Sequence, residues 1–140
     1  MLPLEPRLLA ADCRPLLYKF YRLHNSRMRV PAGAECWALG TPITAGLCLT
    51  PTEHGWWLTG LLVDPAQRHQ GLARRLVTAA LASRSGPTWL FCHPTLTNFY
   101  GQLGFGQVTS LPPTLSMKFE RYSQHKPLVA LSIEGNHRCL

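Results

Sequence analysis

The chain is poor in acidic residues: seven Asp and Glu stand against fourteen Lys and Arg in 140 residues, a formal net charge of +7. That imbalance favours partners with negative charge, such as a phosphorylated cofactor, an acidic surface or nucleic acid. Charged residues make up only 15% of the chain and hydrophobic ones 46%, which excludes an intrinsically disordered polypeptide. No apolar run approaches the roughly eighteen residues that a membrane-spanning helix needs. Residues 1–6 lack the basic and apolar regions of a secretory leader, so a cytoplasmic protein is expected. The five cysteines (Cys13, Cys36, Cys48, Cys92 and Cys139) are odd in number and widely spaced. No Cys-x-x-Cys pair exists to hold zinc, no metal site is expected, and the thiols should be reduced. Two phosphate-loop patterns are also missing. There is no G-x-x-x-x-G-K-[ST] string for a nucleoside triphosphate and no G-x-G-x-x-G string for a dinucleotide. The length suits a single domain over residues 1–140.

What the chain does have is a strand–turn–helix unit with a basic, glycine-bearing turn. Trp56-Trp57-Leu58-Thr59-Gly60-Leu61-Leu62-Val63 is aromatic and apolar enough to be a buried strand. After it, Leu72, Ala73, Leu76, Val77, Ala80 and Leu81 repeat at helical spacing, with Arg74, Arg75 and Thr78 on the other side. A helix start offers unpaired N–H groups and the positive end of the helix dipole. Gly71 lets an anion approach that start without a side chain in the way, so Arg68-His69-Gln70-Gly71-Leu72-Ala73 reads as a seat for a diphosphate.

That hexapeptide resembles the [Q/R]-x-x-G-x-[G/A] turn of the GNAT superfamily, the acetyl-CoA-dependent N-acetyltransferases. A second segment, Thr97-Asn98-Phe99-Tyr100-Gly101-Gln102-Leu103-Gly104-Phe105, resembles the family's x-F-Y-x-x-L-G-F signature. The two lie in the family's order, and the resemblance covers roughly residues 35–110. It implies an α+β fold of α/β/α layers. The sheet would be mixed and mostly antiparallel, with helices on both faces. The two central parallel strands, ending at Val63 and Cys92, would splay to take the pantetheine arm of the cofactor.

Pattern along the rest of the chain predicts the order β-α-β-β-β-α-β-α-β-α-β. A short opening strand is expected at residues 2–4. A helix should follow, capped by Asp12, with Leu16, Leu17, Phe20, Tyr21 and His24 on its apolar face. Strands are expected at 35–39 and 43–49, joined by Gly40-Thr41-Pro42, with a second turn at 51–55. A strand at 88–92 leads to a helix begun by Pro94, with Leu96, Phe99 and Leu103 buried and Gly104 as its left-handed stop. A strand at 105–108, a helix from Pro113 to about Gln124 and a final strand at 128–133 complete the chain. The last two strands are expected to pair, because sequential strands tend to be neighbours. Cys48 and Cys92 are expected as small core residues. Trp56 and Trp57 point to opposite faces of their strand and are expected to pack in the core, the alternative being that the one facing the acceptor cleft shapes an apolar substrate pocket.

The resemblance assigns chemistry to particular residues. The N–H groups of His69 to Arg74 would hold the diphosphate of acetyl-CoA, with Arg68 adding charge. Backbone groups of Leu61, Leu62 and Val63 would pair with the pantetheine amides, and the N–H of Leu62 or Val63 would face the thioester oxygen. Tyr100 stands where the family often carries a tyrosine general acid. The alternative is a half-buried tyrosine whose hydroxyl bonds to backbone. No general base is nominated. His93 could be a base, a cofactor contact or a helix cap, and the last two together suit it best. Glu53 and His54 lie in a turn. The expected partners are a coenzyme A thioester and an amine acceptor, small molecule or protein; a homodimer fits this reading, and a membrane does not. Two competing readings remain, a non-catalytic acyl-CoA-binding module and an RNA-binding protein. The second is weakened by aromatics that sit in apolar strands rather than among the arginines. The cluster Arg14, Lys19, Arg22, Arg27 and Arg29 either meets an acidic partner or is a solvated face.

Overall fold

A computed structural model describes residues 5–82 and 84–134. The elements follow the predicted order. They are β1 (Arg7–Leu8), α1 (Arg14–Leu23), β2 (Glu35–Leu39), β3 (Ala45–Thr52), β4 (Gly55–Val63), α2 (Leu72–Ala82), β5 (Thr88–Cys92), α3 (Thr97–Gln102), β6 (Gly106–Gln107), α4 (Pro113–Ser123) and β7 (Val129–Ile133). The opening strand expected at 2–4 lies outside the described residues. Among these, no helix is long and apolar enough to cross a membrane. The strands form one sheet in the order β1-β2-β3-β4-β5-β7-β6, antiparallel except for β4 beside β5. The parallel ladder comprises Trp56↔Thr88 and Trp57↔Trp89, although β4 runs on to Val63 and β5 to Cys92. Residue contacts group the chain into two compact units, 1–50 with 58–83 and 51–57 with 84–140.

In the first unit the sheet is buried on both sides, and strand alternation shows how. Cys36, Ala38 and Cys48 join Leu17, Phe20 and Tyr21 of α1 in one core, with Leu62 of β4 packed against it. Their neighbours Trp37, Leu39, Leu47 and Leu49 therefore face the other way, and they too are buried. Helix α2 packs against β1 and β2 and buries Leu72, Leu76, Val77, Ala80 and Leu81. That stripe is the one its periodicity predicts except for Ala73, which is half-buried. Helix α1 corrects the reading in two places. Leu16 is 51% exposed, since the buried face is Leu17-Phe20-Tyr21. Asp12 caps nothing, because a 3-10 turn at Ala11–Cys13 comes first and moves the cap to Cys13.

In the second unit β5 is covered on both sides. Phe91 meets Phe119 and Tyr122 of α4, with ring centroids 5.2 and 6.4 Å away. The adjacent Cys92, pointing oppositely, lies close enough to Tyr100 of α3 to perturb it. Strand β7 pairs with β6, as expected, but it lies between β5 and β6 and makes its longer ladder with β5, from Thr88↔Ile133 to Cys92↔Val129. The β3–β4 turn is tighter than predicted. Pro51 and Thr52 belong to β3, and the reversal falls on Glu53 and His54, with His54 at φ 66°. Leu96 and Phe99 are 43% and 42% exposed rather than buried.

Candidate active site

The strand end and the turn after it are fixed by Asp64. Its N–H donates to the Thr44 carbonyl at 2.8 Å, and its carboxylate accepts from the Ala66 N–H at 2.9 Å. The second bond caps a 3-10 turn at Pro65–Gln67. His24 Nε2 of α1 lies 3.9 Å from the same carboxylate. The chain then extends at Arg68 and bends left-handedly twice, at His69 (φ 65°) and Gly71 (φ 76°). A side chain other than glycine is strained at Gly71 for that reason alone. The space beside it is open, because a Cβ built there meets no atom within 4 Å. The Arg75 N–H donates to the Gly71 carbonyl at 3.0 Å, so Gly71 stands at the mouth of α2 with the N–H groups of the first turn beyond it.

The sequence-predicted residues divide by what they can offer. Arg68, His69, Gln70, Gly71 and Arg74 are exposed, and Ala73 is half-buried. Leu72 is buried at 3% exposure, so its side chain anchors α2 in the core. Arg74 and Arg75 follow at the same helix start, which leaves the turn strongly cationic. Leu61, Leu62 and Val63 are half-buried on the last part of β4. This cradle fits a diphosphate on three counts: an open glycine, a helix N-terminus and neighbouring guanidinium groups.

Gly60 and Tyr21 belong to the same region and escaped the sequence reading. Gly60 sits inside β4 at φ 69°, a conformation that interrupts a regular strand. Its carbonyl accepts a 2.7 Å hydrogen bond from the Tyr21 hydroxyl, which also lies 3.8 Å from Cys48 Sγ. A lone glycine in an aromatic strand was the available signal, since it marks a bulge or a close approach of other atoms. Burial, and then the neighbouring Cys48, push the Tyr21 phenol far above its ordinary range.

Tyr100 lies on α3, in the second unit, half-buried. Its ring meets Phe99 and Phe105 edge-on, with centroids 5.0 and 5.9 Å away. Its carbonyl accepts from the N–H groups of Leu103 and Phe105 at 3.0 and 3.1 Å, which with Gly104 at φ 106° closes the helix. Burial, then the Cys92 thiol, lift the phenol to about 12, so it stays protonated at neutral pH.

His93 and Glu53 are engaged in hydrogen bonds. His93 caps the 3-10 turn at Pro94–Leu96: its Nδ1 accepts the Thr95 N–H at 3.1 Å and lies 2.9 Å from Thr95 Oγ1. A neutral ring bonded in this way carries its proton on Nε2 and has no free lone pair to offer. Glu53 accepts from Thr52 Oγ1 at 2.9 Å and from Thr114 Oγ1 at 2.7 Å, and these bonds hold its carboxyl below the usual range. Trp57 and Phe91 pack at 5.8 Å, and Lys118 Nζ lies 5.2 Å from the Trp57 ring centre. Both tryptophans of the pair are half-buried rather than fully enclosed. No group of three or more potential metal ligands occurs among the described residues.

Residues 32–107, more than half of the chain, match the model of the acetyltransferase (GNAT) domain. A search of curated proteins finds no match. Among solved structures, the fold is similar to that of ElaA from Escherichia coli, with 14% identity, a TM-score of 0.68, and 96% of this chain and 100% of that one covered. An acyl-CoA N-acyltransferase from Pseudomonas aeruginosa gives 16% identity and a TM-score of 0.64, covering 94% and 99%. N-acetylglutamate synthase from Neisseria gonorrhoeae, in complex with coenzyme A and N-acetyl-glutamate, gives 13% identity and a TM-score of 0.69, covering 99% of this chain and 36% of that chain.

Proposed function

As a member of the GNAT acetyltransferase family, this chain is, we propose, an N-acetyltransferase that moves an acetyl group from acetyl-CoA to a primary amine. The observation that carries the reading is the open, left-handed Gly71 at the mouth of α2, flanked by Arg68 and Arg74. When bound, acetyl-CoA supplies an acyl carbon already activated as a thioester. The N–H groups of His69 to Arg74 hold the diphosphate, and Arg68 adds a charge-assisted contact. Backbone groups of Leu61, Leu62 and Val63 pair with amides of the pantetheine arm as an added strand would. The N–H of Leu62 or Val63 faces the carbonyl oxygen on which charge grows, a kind of contact whose loss costs about 3–4 kcal/mol. Tyr100 donates its phenol proton to the departing sulfur as the amine nitrogen takes the acyl carbon. A phenol raised to about 12 is fully protonated at neutral pH and so holds a proton to give, although it is a weaker acid than an ordinary phenol. With His93 and Glu53 engaged, the acceptor amine gives up its proton to water.

Purified protein should melt higher with acetyl-CoA, because a ligand that binds only the folded state stabilises it. It should also release free coenzyme A when an amine from a broad panel is added. The occupied base candidates favour one second reading, a non-catalytic acyl-CoA-binding module. Stabilisation without release across the whole panel would select that reading, and absence of both responses would overturn both.

A further inference from the structure

We propose that the flank of α1 is a docking groove for an acidic peptide segment of a partner protein. An open groove of about 590 Å³ is lined by Ala11, Arg14, Pro15, Tyr18, Arg22 and Val30, away from the Gly71 turn and α2. Arg14, Tyr18 and Arg22 are spaced i, i+4, i+8 and form one stripe along the helix. The stripe is organised before any partner arrives. Arg14 Nη2 donates to the Pro31 carbonyl at 2.9 Å, which ties its side chain to the groove wall. The Arg22 guanidinium lies over the Tyr18 ring, 5.8 Å from its centre. Among the described residues, no carboxylate lies within ion-pair distance of either arginine.

The surroundings sharpen the choice of partner. Residues 13–34 hold five of the fourteen Lys and Arg (Arg14, Lys19, Arg22, Arg27 and Arg29) and none of the seven Asp and Glu. Such a segment repels basic partners and attracts acidic ones. Eight residues of α-helix place Arg14 and Arg22 about 12 Å apart along the axis. Four residues of extended peptide span about 13 Å, so carboxylates four positions apart reach both guanidiniums. Tyr18 does stand among the arginines, which corrects the expectation that aromatics and arginines are segregated. Its ring is already covered on one face by Arg22, and this favours carboxylates over a stacked base. The inference does not depend on acetyl transfer.

The test is fluorescence anisotropy of a labelled twelve-residue peptide with glutamate at every fourth position and serine or glycine elsewhere, titrated with the full chain at low salt. Saturable binding is expected, weakened at least tenfold by Arg22→Glu and abolished when lysine replaces the glutamates in the peptide. The Asn25 N–H donates to the Arg22 backbone carbonyl, which the variant keeps, and the Arg22 side chain contacts the Tyr18 ring of its own helix. The variant therefore keeps the fold, which an unchanged melting temperature checks. Arg14→Gln should weaken binding as well. No saturable binding overturns the proposal, and so does equal binding by Arg22→Glu. A twelve-nucleotide RNA that displaces the peptide, binds more tightly and loses affinity with Arg22→Glu would reassign the groove to nucleic acid.

Discussion

Tyr21 and Tyr100 carry the same phenol into opposite circumstances. Tyr21 is fully buried, and its hydroxyl is committed to the Gly60 carbonyl at 2.7 Å. Tyr100 is half-buried among Phe99 and Phe105, and its polar tie to the chain is through its backbone carbonyl. Two glycines repeat the contrast. Gly60 and Gly71 adopt nearly the same left-handed conformation, φ 69° and 76°. A Cβ at Gly60 would come within 2.5 Å of the Tyr21 hydroxyl, whereas one at Gly71 meets nothing within 4 Å. One pair of residues is closed upon itself and holds the fold. Gly71, by contrast, has open space beside it, and the Tyr100 side chain packs against the aromatic rings of Phe99 and Phe105 in its own unit.

The tyrosines give the largest expected effects. Tyr100→Phe should slow turnover by about 10²–10⁴-fold, the usual worth of a positioned acid, with the acetyl-CoA-induced rise in Tm unchanged. Tyr21→Phe should do the reverse. It leaves the Gly60 carbonyl without its donor, a loss of about 1–3 kcal/mol in denaturant unfolding, while turnover per folded molecule holds. Wild-type turnover in Tyr100→Phe would remove the acid assignment.

Alanine at the two glycines extends the contrast. At Gly60, overpacking of about 1–3 kcal/mol adds to about 1–2 kcal/mol for a left-handed Cβ. At Gly71 only the second cost applies, but the new methyl group stands where the diphosphate is proposed to lie. Gly71→Ala should therefore lose only about 1–2 kcal/mol, less than Gly60→Ala, and weaken acetyl-CoA at least tenfold by calorimetry. Equal stability losses at the two sites would break the comparison. Undiminished acetyl-CoA affinity in Gly71→Ala would move the cofactor elsewhere.

A pH profile reads the Tyr100 environment directly. The phenol is raised from an ordinary 10.0 to about 12 in the folded protein. Its contribution to stability is therefore fully present below pH 10 and lost as pH rises through 12. The acid form persists over the same range, so turnover should show no alkaline decline below about pH 10 in the wild type. A descending limb near pH 8 that Tyr100→Phe abolishes would contradict the raised value.

How far the sequence carried this picture depended on whether a feature was local. Residues 35–39 and 88–92 are strands as predicted, and the α2 stripe, Ala73 apart, is buried as its periodicity requires. The Gly71 turn was legible because its glycine and basic flanks are contiguous. Leu96 and Phe99 misled because the element begins with a 3-10 turn at Pro94–Leu96, and α3 itself has only 6 residues. Three residues per turn do not continue a stripe drawn at 3.6. The insertion of β7 between β5 and β6 was hidden for a different reason: it is a long-range pairing that no neighbouring residue encodes. Tyr21 looked like one more apolar residue of a helix face. Its partner Gly60 is distant in sequence and becomes visible only in the fold.

The smallest effect separates a cap from a base at His93. Its Nδ1 accepts the Thr95 N–H, so His93→Ala deletes an N-terminal cap and should cost about 0.5–2 kcal/mol. His93→Asn keeps an acceptor near that position, as asparagine is a strong cap, and should restore most of the loss. Neither change should slow turnover beyond the effect of the fraction folded, because the ring lone pair that a base would use is already occupied. If the stable His93→Asn variant, at unchanged Tm, turned over slower by about 10²-fold or more, the ring would have to leave Thr95 during the reaction. His93 would then join Tyr100 on the open side of the comparison, as the proton acceptor opposite the donor.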